Sequence, residues 1–198
     1  MKKLLLITLF FCNFLNADVA GGVLKKYKSN IFICTGAGNC IDITRALHAN
    51  FAYVHGIEKD KILVNHSRFA IPAYLQNTNR KFNNYTIYHG DSRQLLPITL
   101  NSIKEAATIL LNSYLPEIDH PEKENHVLEE LEKIKNHHIK RHIILIDYIH
   151  LADSKYFGNV SLKSVKKQLL AINPNYKFKF EKGGHLGKEE KAVLVAIP

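Results

Sequence analysis

Between Ser29 and Ile197 this chain alternates short apolar runs with segments of helical period, and that alternation most limits the folds open to it. Ser29–Cys34, Lys61–Ser67, residues 84–90 ("NYTIYHG"), 142–151 ("HIILIDYIHL"), 176–180 ("YKFKF") and 192–197 ("AVLVAI") read as strands. Helical spacing follows the first run from Ile41 to about His55, with Ala46, Leu47 and Val54 on one stripe. It recurs after Ser102-Ile103-Lys104-Glu105, which has the form of a capping box, with Ala106, Ala107, Leu110, Leu111 and Tyr114 on one stripe. Pro121 to about Lys140 and Ser161–Ile172 are two further helices, the first with acids early and cations late, as the helix dipole favours. Strands joined by helices cross over right-handedly into a parallel sheet covered on both sides. The expectation is an α/β domain: a mainly parallel, Rossmann-like sheet flanked by helices on both faces, with a C-terminal strand pair.

The first residues, "MKKLLLITLFFCNFLNA", place Lys2 and Lys3 before an apolar run from Leu4 to Leu15, the layout of a secretory signal peptide. Twelve apolar residues fall short of the roughly 20 that span a bilayer. The sequence therefore predicts a signal peptide over 1–17, a single domain over 18–198, and a periplasmic or secreted location with no transmembrane span after processing. The 27 basic and 18 acidic residues give a net charge of +9, or +7 once Lys2 and Lys3 are removed. That excess suits a protein or anionic cell-surface partner, and no basic stripe with interleaved aromatics calls for specific nucleic-acid readout.

With Cys12 in the leader, Cys34 and Cys40 remain, and an isolated pair in an oxidising compartment is expected to form a disulfide. Closing so short a loop contributes roughly 2–2.5 kcal/mol in the chain-entropy view. Between the two cysteines lies Thr35-Gly36-Ala37-Gly38-Asn39, a glycine turn leading from strand to helix. Backbone amides on such a turn can face an anion. The turn has two glycines of a dinucleotide fingerprint, but Ile41 stands where the third belongs. Glu58 lies at about the distance of the fingerprint's ribose acid, yet the pattern around it does not make a convincing ribose site.

Three stretches, "IFICTGAGNCIDITRAL", "GDSRQLLPITLNSIKEAATILL" and "HIILIDYIHLADS" with its following helix and "YKFKF", resemble a von Willebrand factor A-type domain. The resemblance covers about residues 29–180 and implies a binding domain rather than an enzyme. In that family the metal site begins Asp-x-Ser-x-Ser; here the matching positions are Cys34, Gly36 and Gly38, and Tyr148 follows Asp147 in place of glycine. Too few oxygen ligands remain for a hard cation. The resemblance thus implies a degenerate metal site, no cofactor, binding through Thr35, Gly36, Gly38, Asn39 and Asp147, and a disulfide in the role of the cation.

The alternative is a small extracytoplasmic hydrolase or zinc enzyme, because ligand sites of open sheets gather at strand C-termini. Ser92, His150, Asp91 and Asp153 are the candidates for nucleophilic hydrolysis. His66, His89 and His150 are the candidates for zinc. Two polar stretches, "KNHHIKRH" and "EKGGHLGKEEK", read as a solvated helix end and a loop between the last two strands.

Overall fold

The computed structural model describes residue 19 and residues 21–78, 84–112, 125–183 and 189–198. The expected leader and Cys12 lie outside these residues, as do Pro121 and the centre of the 181–191 stretch. The elements run α1 (Gly21–Lys26), β1 (Ile31–Thr35), α2 (Ile41–His48), β2 (Tyr53–Glu58), α3 (Lys61–Asn77), β3 (Tyr85–His89), α4 (Ser92–Asn101) and β4 (Ala107–Leu111). There follow α5 (Val127–Asn136), β5 (Ile143–Ile146), two 3-10 turns at Ile149–Leu151 and Lys155–Phe157, α6 (Leu162–Ile172), β6 (Lys177–Gly183) and β7 (Glu189–Ile197).

The seven strands form one sheet in the order β3-β2-β1-β4-β5-β7-β6. β1 through β5 are parallel, with Ile31 opposite both Tyr53 and Ala107, whereas β7 runs antiparallel to β5 and β6. This is the expected α/β architecture, including its C-terminal strand pair. β1 and β4 are buried along their whole lengths, as central parallel strands must be. Alternate residues of β1 feed two cores. Ile31 and Ile33 join Leu100, Leu131 and Leu169 on the α4–α5–α6 side. Phe32 and Cys34 join Ile43, Leu47 and Ile71 on the α1–α2–α3 side, where the rings of Phe32 and Phe51 meet at 5.2 Å.

Several elements differ from the sequence expectation. The helix after the glycine turn stops at His48, and "YVHGIE" forms β2. Gly56 interrupts the apolar pattern there because a Cβ would stand 2.7 Å from Ile87 Cδ1 and 3.0 Å from Ile43 Cδ1. Lys61–Ser67 opens a 17-residue helix rather than a strand: Asp60 caps it through Ile62 N, and Val64, Ser67, Ile71 and Leu75 turn inward at helical spacing.

The helix expected from Ser102 does not form: Ser102 instead ends α4, which Asp91 caps, and its hydroxyl donates to Thr99 O. The residues after it, Ala107–Leu111, form the sheet's central strand β4. The last hairpin also takes in more of the glycine-rich stretch than a loop reading allows, since Glu181–Gly183 belong to β6 and Glu189–Lys191 to β7.

Candidate functional site

The order of strands reverses between β1 and β4, and crevices at such a switch point, beyond the strand C-termini, are where open α/β sheets bind ligands. The glycine turn forms one wall. Gly36 has φ 67°, Gly38 φ 53° and Cys40 φ 68°, so every second residue is left-handed. The third left-handed position, Cys40, is the residue just before α2. A Cβ on Gly38 would meet only Gly36 O at 3.8 Å, so the space above that residue is open. The turn is held from below by Ala37 N donating to Ile57 O and Cys40 N to Ala37 O.

Glu58, at the C-terminal end of β2, closes the site from the side. Its Oε2 accepts from Gly38 N at 2.7 Å, and its Oε1 from Asp60 N at 2.8 Å. The residue is 8% exposed. It is the acid at fingerprint distance, and the fold brings it directly onto the loop.

Beneath the crevice Thr35 Oγ1 accepts from Asn112 N at 3.2 Å and lies 3.4 Å from Glu130 Oε2. Asn112, just past β4, donates through Nδ2 to Asp42 Oδ2 at 3.2 Å, and Arg45 approaches the other oxygen of Asp42 at 3.8 Å. Glu130 is fully buried and Asp147 nearly so; both line a small cavity with Leu111 and Asn125. Asp147 Oδ1 accepts from Tyr148 N at 2.8 Å. No lysine or arginine stands on residues 36–40. Four carboxylates, those of Asp42, Glu58, Glu130 and Asp147, thus stand at or beneath these strand ends, with Arg45 beside Asp42.

Cys34 and Cys40 are both buried and both free thiols, which corrects the expected disulfide. Cys34 points into the core beside Phe32, whereas Cys40 Sγ lies near Gly38 O. Burial, then Asp42, Cys40, Glu58 and Glu130, pushes the Cys34 thiol far above its usual range. Burial pushes Cys40 up to about 12, against a hydrogen bond from Ser67. Neither is a thiolate at neutral pH, so neither is an activated nucleophile.

Of the expected binding residues, Thr35, Gly36, Gly38 and Asn39 line this one turn, Asn39 Oδ1 facing Ile41 N at 3.4 Å, and Asp147 ends the strand beyond β4. The hydrolase candidates are placed apart. Asp91 and Ser92 follow β3, whereas His150 and Asp153 follow β5, four inter-strand spacings away, or about 19 Å. Asp91 caps α4 and grips Arg93 through two bonds of 3.0 and 2.7 Å, which, with Lys59 nearby, hold it well below the usual carboxylate range. Asp153 Oδ2 accepts from Leu162 N at the start of α6. His66 lies on α3, not a strand end, and no cluster of three metal-ligating side chains occurs among the described residues.

Sequence reasoning weighed Glu58 and set it aside, and it passed over Asp42, Asn112 and Glu130. Only Glu58 carried a signal, its spacing of 20 residues from Gly38.

No protein-family model matches this sequence, nor does any curated protein. By structure it is similar to an O-methyltransferase from Bacillus cereus in complex with SAH, at a TM-score of 0.60 and 11% identity over 92% of this chain and 83% of that one. It is also similar to an SAH-bound methyltransferase from Podospora anserina (TM-score 0.58, 10% identity, 89% and 75% covered). A third neighbour is the SAM-bound O-methyltransferase TomG from Streptomyces achromogenes (TM-score 0.55, 12% identity, 89% and 76% covered). These neighbours overturn the expected A-type binding domain, and they give no support to the hydrolase or zinc enzyme. The chain has the α/β fold of these methyltransferases.

Proposed function

We propose that this chain binds S-adenosylmethionine (SAM) against the Gly36–Cys40 turn and Glu58, and transfers its methyl group to a nucleophilic acceptor. The observation that carries this reading is the Glu58 carboxylate on Gly38 N, with Asp42, Glu130 and Asp147 around the same strand ends. A pyrophosphate would need the Gly38 N–H that Glu58 already occupies, and would meet that carboxylate on the turn. A nucleoside bearing a positive charge fits far better. A carboxylate offers about four lone-pair directions, so Glu58 can keep both backbone donors and still accept ribose hydroxyls.

The turn has room for such a ligand, because the open space above Gly38 is where any side chain would stand. When bound, SAM supplies an electrophilic methyl group on a positively charged sulfur. This chain's own residues hold and orient it. Glu58 takes the ribose, the two glycines let the backbone come close, and the buried acids favour the cationic over the neutral form of the ligand. Asn112, pinned by Thr35 and Asp42, forms the far wall of the crevice at the end of β4. The export expected from the N-terminal sequence is a separate proposal and does not enter this one.

A thermal-shift panel of SAM, S-adenosylhomocysteine (SAH), NAD and ATP tests the reading. SAM and SAH are expected to raise the melting temperature and the two pyrophosphate-bearing ligands to leave it unchanged. Stabilisation by NAD or ATP alone would overturn it.

A further inference from the structure

The solvent face of α6 carries Lys163, Lys166, Lys167 and Leu170 at i, i+3, i+4 and i+7, opposite the buried stripe of Val165, Leu169 and Ile172. From 161 to 180 the sequence has five lysines and no acid. Like charges at these helical spacings repel, so the stripe costs the helix something. Among the described residues neither Lys163 nor Lys167 has an acidic partner. An open groove lies along this face, lined by Asp153, Leu162, Lys163, Lys166, Lys167 and Leu170. Asp153 is its one acid, and that carboxylate is turned to Leu162 N.

Beside the stripe runs β6, the outermost strand of the sheet. Lys166 Nζ stands 5.5 Å from the Phe178 ring and 5.3 Å from the Phe180 ring. Lysines on an edge strand are a common guard against strand pairing, which accounts for Lys177 and Lys179 but not for the stripe on α6. Leu170 and Phe180 remain 41% and 38% exposed among these ammonium groups. Apolar tips set in a field of lysines match the boundary between headgroups and acyl chains. The other flank of β6 is basic as well: α1, with Lys25 and Lys26, is tied to it by Lys26 Nζ on Glu181 at 2.6 Å and by the Tyr27 hydroxyl on the same carboxylate.

We infer that the α6 face and the β6 edge form a docking surface for an anionic phospholipid bilayer. The charge excess and the apolar tips together define the lipid: an anionic headgroup for the lysines and an acyl boundary for Leu170 and Phe180. A single-stranded nucleic acid fits less well, because Lys166 already covers the ring faces on which bases would stack.

Co-sedimentation of the full chain with vesicles tests the inference. One set is phosphatidylcholine with one-third phosphatidylglycerol, the other phosphatidylcholine alone. The chain is expected to bind the mixed vesicles at low salt, to release them at high salt, and to leave neutral vesicles in solution. The double variant Lys163→Glu, Lys167→Glu is expected to weaken binding by roughly 25-fold or more, at about fivefold per lysine lost. Lys163→Gln, Lys167→Gln serves if the charge reversal perturbs folding, with the same direction expected. Equal binding to neutral vesicles, indifference to both double variants, or tighter binding of an oligothymidylate than of the mixed vesicles would overturn it.

Discussion

Glu58 reaches from the end of β2 to the glycine turn and accepts the Gly38 N–H at 2.7 Å, joining two segments 20 residues apart. The bond ties loop geometry to the second strand, so the same carboxylate serves stability and ligand recognition. Glu58→Gln can satisfy only one of the two backbone donors on Gly38 and Asp60, because its amide nitrogen cannot accept. The expected cost is about 1–2 kcal/mol in denaturant unfolding, with a loss of SAM affinity of at least about tenfold. An unchanged affinity beside a reduced stability would leave Glu58 a purely structural residue.

Gly38→Ala separates loop strain from ligand space. The position has φ 53°, which disfavours alanine by roughly 1–2 kcal/mol, yet its Cβ would touch only Gly36 O at 3.8 Å. The variant is expected to fold with a modest loss of stability and to lose SAM binding altogether, since the methyl group occupies the space above the turn. Circular dichroism and a binding isotherm on the same preparation check both halves.

Gly56→Ala acts elsewhere. Its Cβ would stand 2.7 Å from Ile87 Cδ1, 3.0 Å from Ile43 Cδ1 and 3.1 Å from Ala37 Cβ, where α2 and β3 close on β2. Overpacking of this kind costs about 1–3 kcal/mol, read as a lower unfolding midpoint at constant slope.

Acid sensitivity is expected from the base of the sheet. His142 Nδ1 accepts from Ala107 N at 3.0 Å, and its Nε2 pairs with His137 Nδ1 at 3.0 Å. Both rings are buried, and burial with the neighbouring His137 and His138 lowers His142 to about 4, while burial lowers His137 as well. The unfolded chain therefore binds more protons than the folded one between the ordinary histidine value near 6.5 and about 4. Stability is full above that window and falls as the pH drops through it, by about 3 kcal/mol for His142 alone. His142→Phe is expected to flatten this part of the pH–stability profile and, by leaving the Ala107 N–H without its acceptor, to lower stability at neutral pH.

The thiols offer a direct check on the loop. Cys34 and Cys40 are expected to resist a thiol reagent in the native protein and to react fully after denaturation, and reductant is expected to leave the melting temperature unchanged.

The strands that read clearly, β1, β3, β5, β6 and β7, carry runs of apolar or alternating residues. β2 was hidden because His55 and Gly56 break its pattern, and the need for Gly56 arises only when α2 and β3 are packed upon it. The first residues of α3, "KILVN", have strand composition; their helix is decided by Asp60 and by the inward stripe that runs on to Leu75. Ser102 has the form of a helix start, but in the fold it closes α4, which Asp91 caps, and the apolar residues after it are β4, paired between β1 and β5. At the site, the turn and Asp147 were legible as residues. The meeting of Glu58 with Gly38, and of Thr35 with Asn112 and Glu130, depends on the order of strands, which a linear pattern does not carry.

Isothermal titration of the full chain with SAM, SAH and NAD bears most directly on the claim that the glycine turn and Glu58 hold a sulfonium nucleoside. The account predicts saturable one-to-one binding of SAM and SAH, abolished in Gly38→Ala and weakened in Glu58→Gln, with no binding of NAD. Binding of NAD in place of SAM, or SAM binding that survives both substitutions, would contradict it.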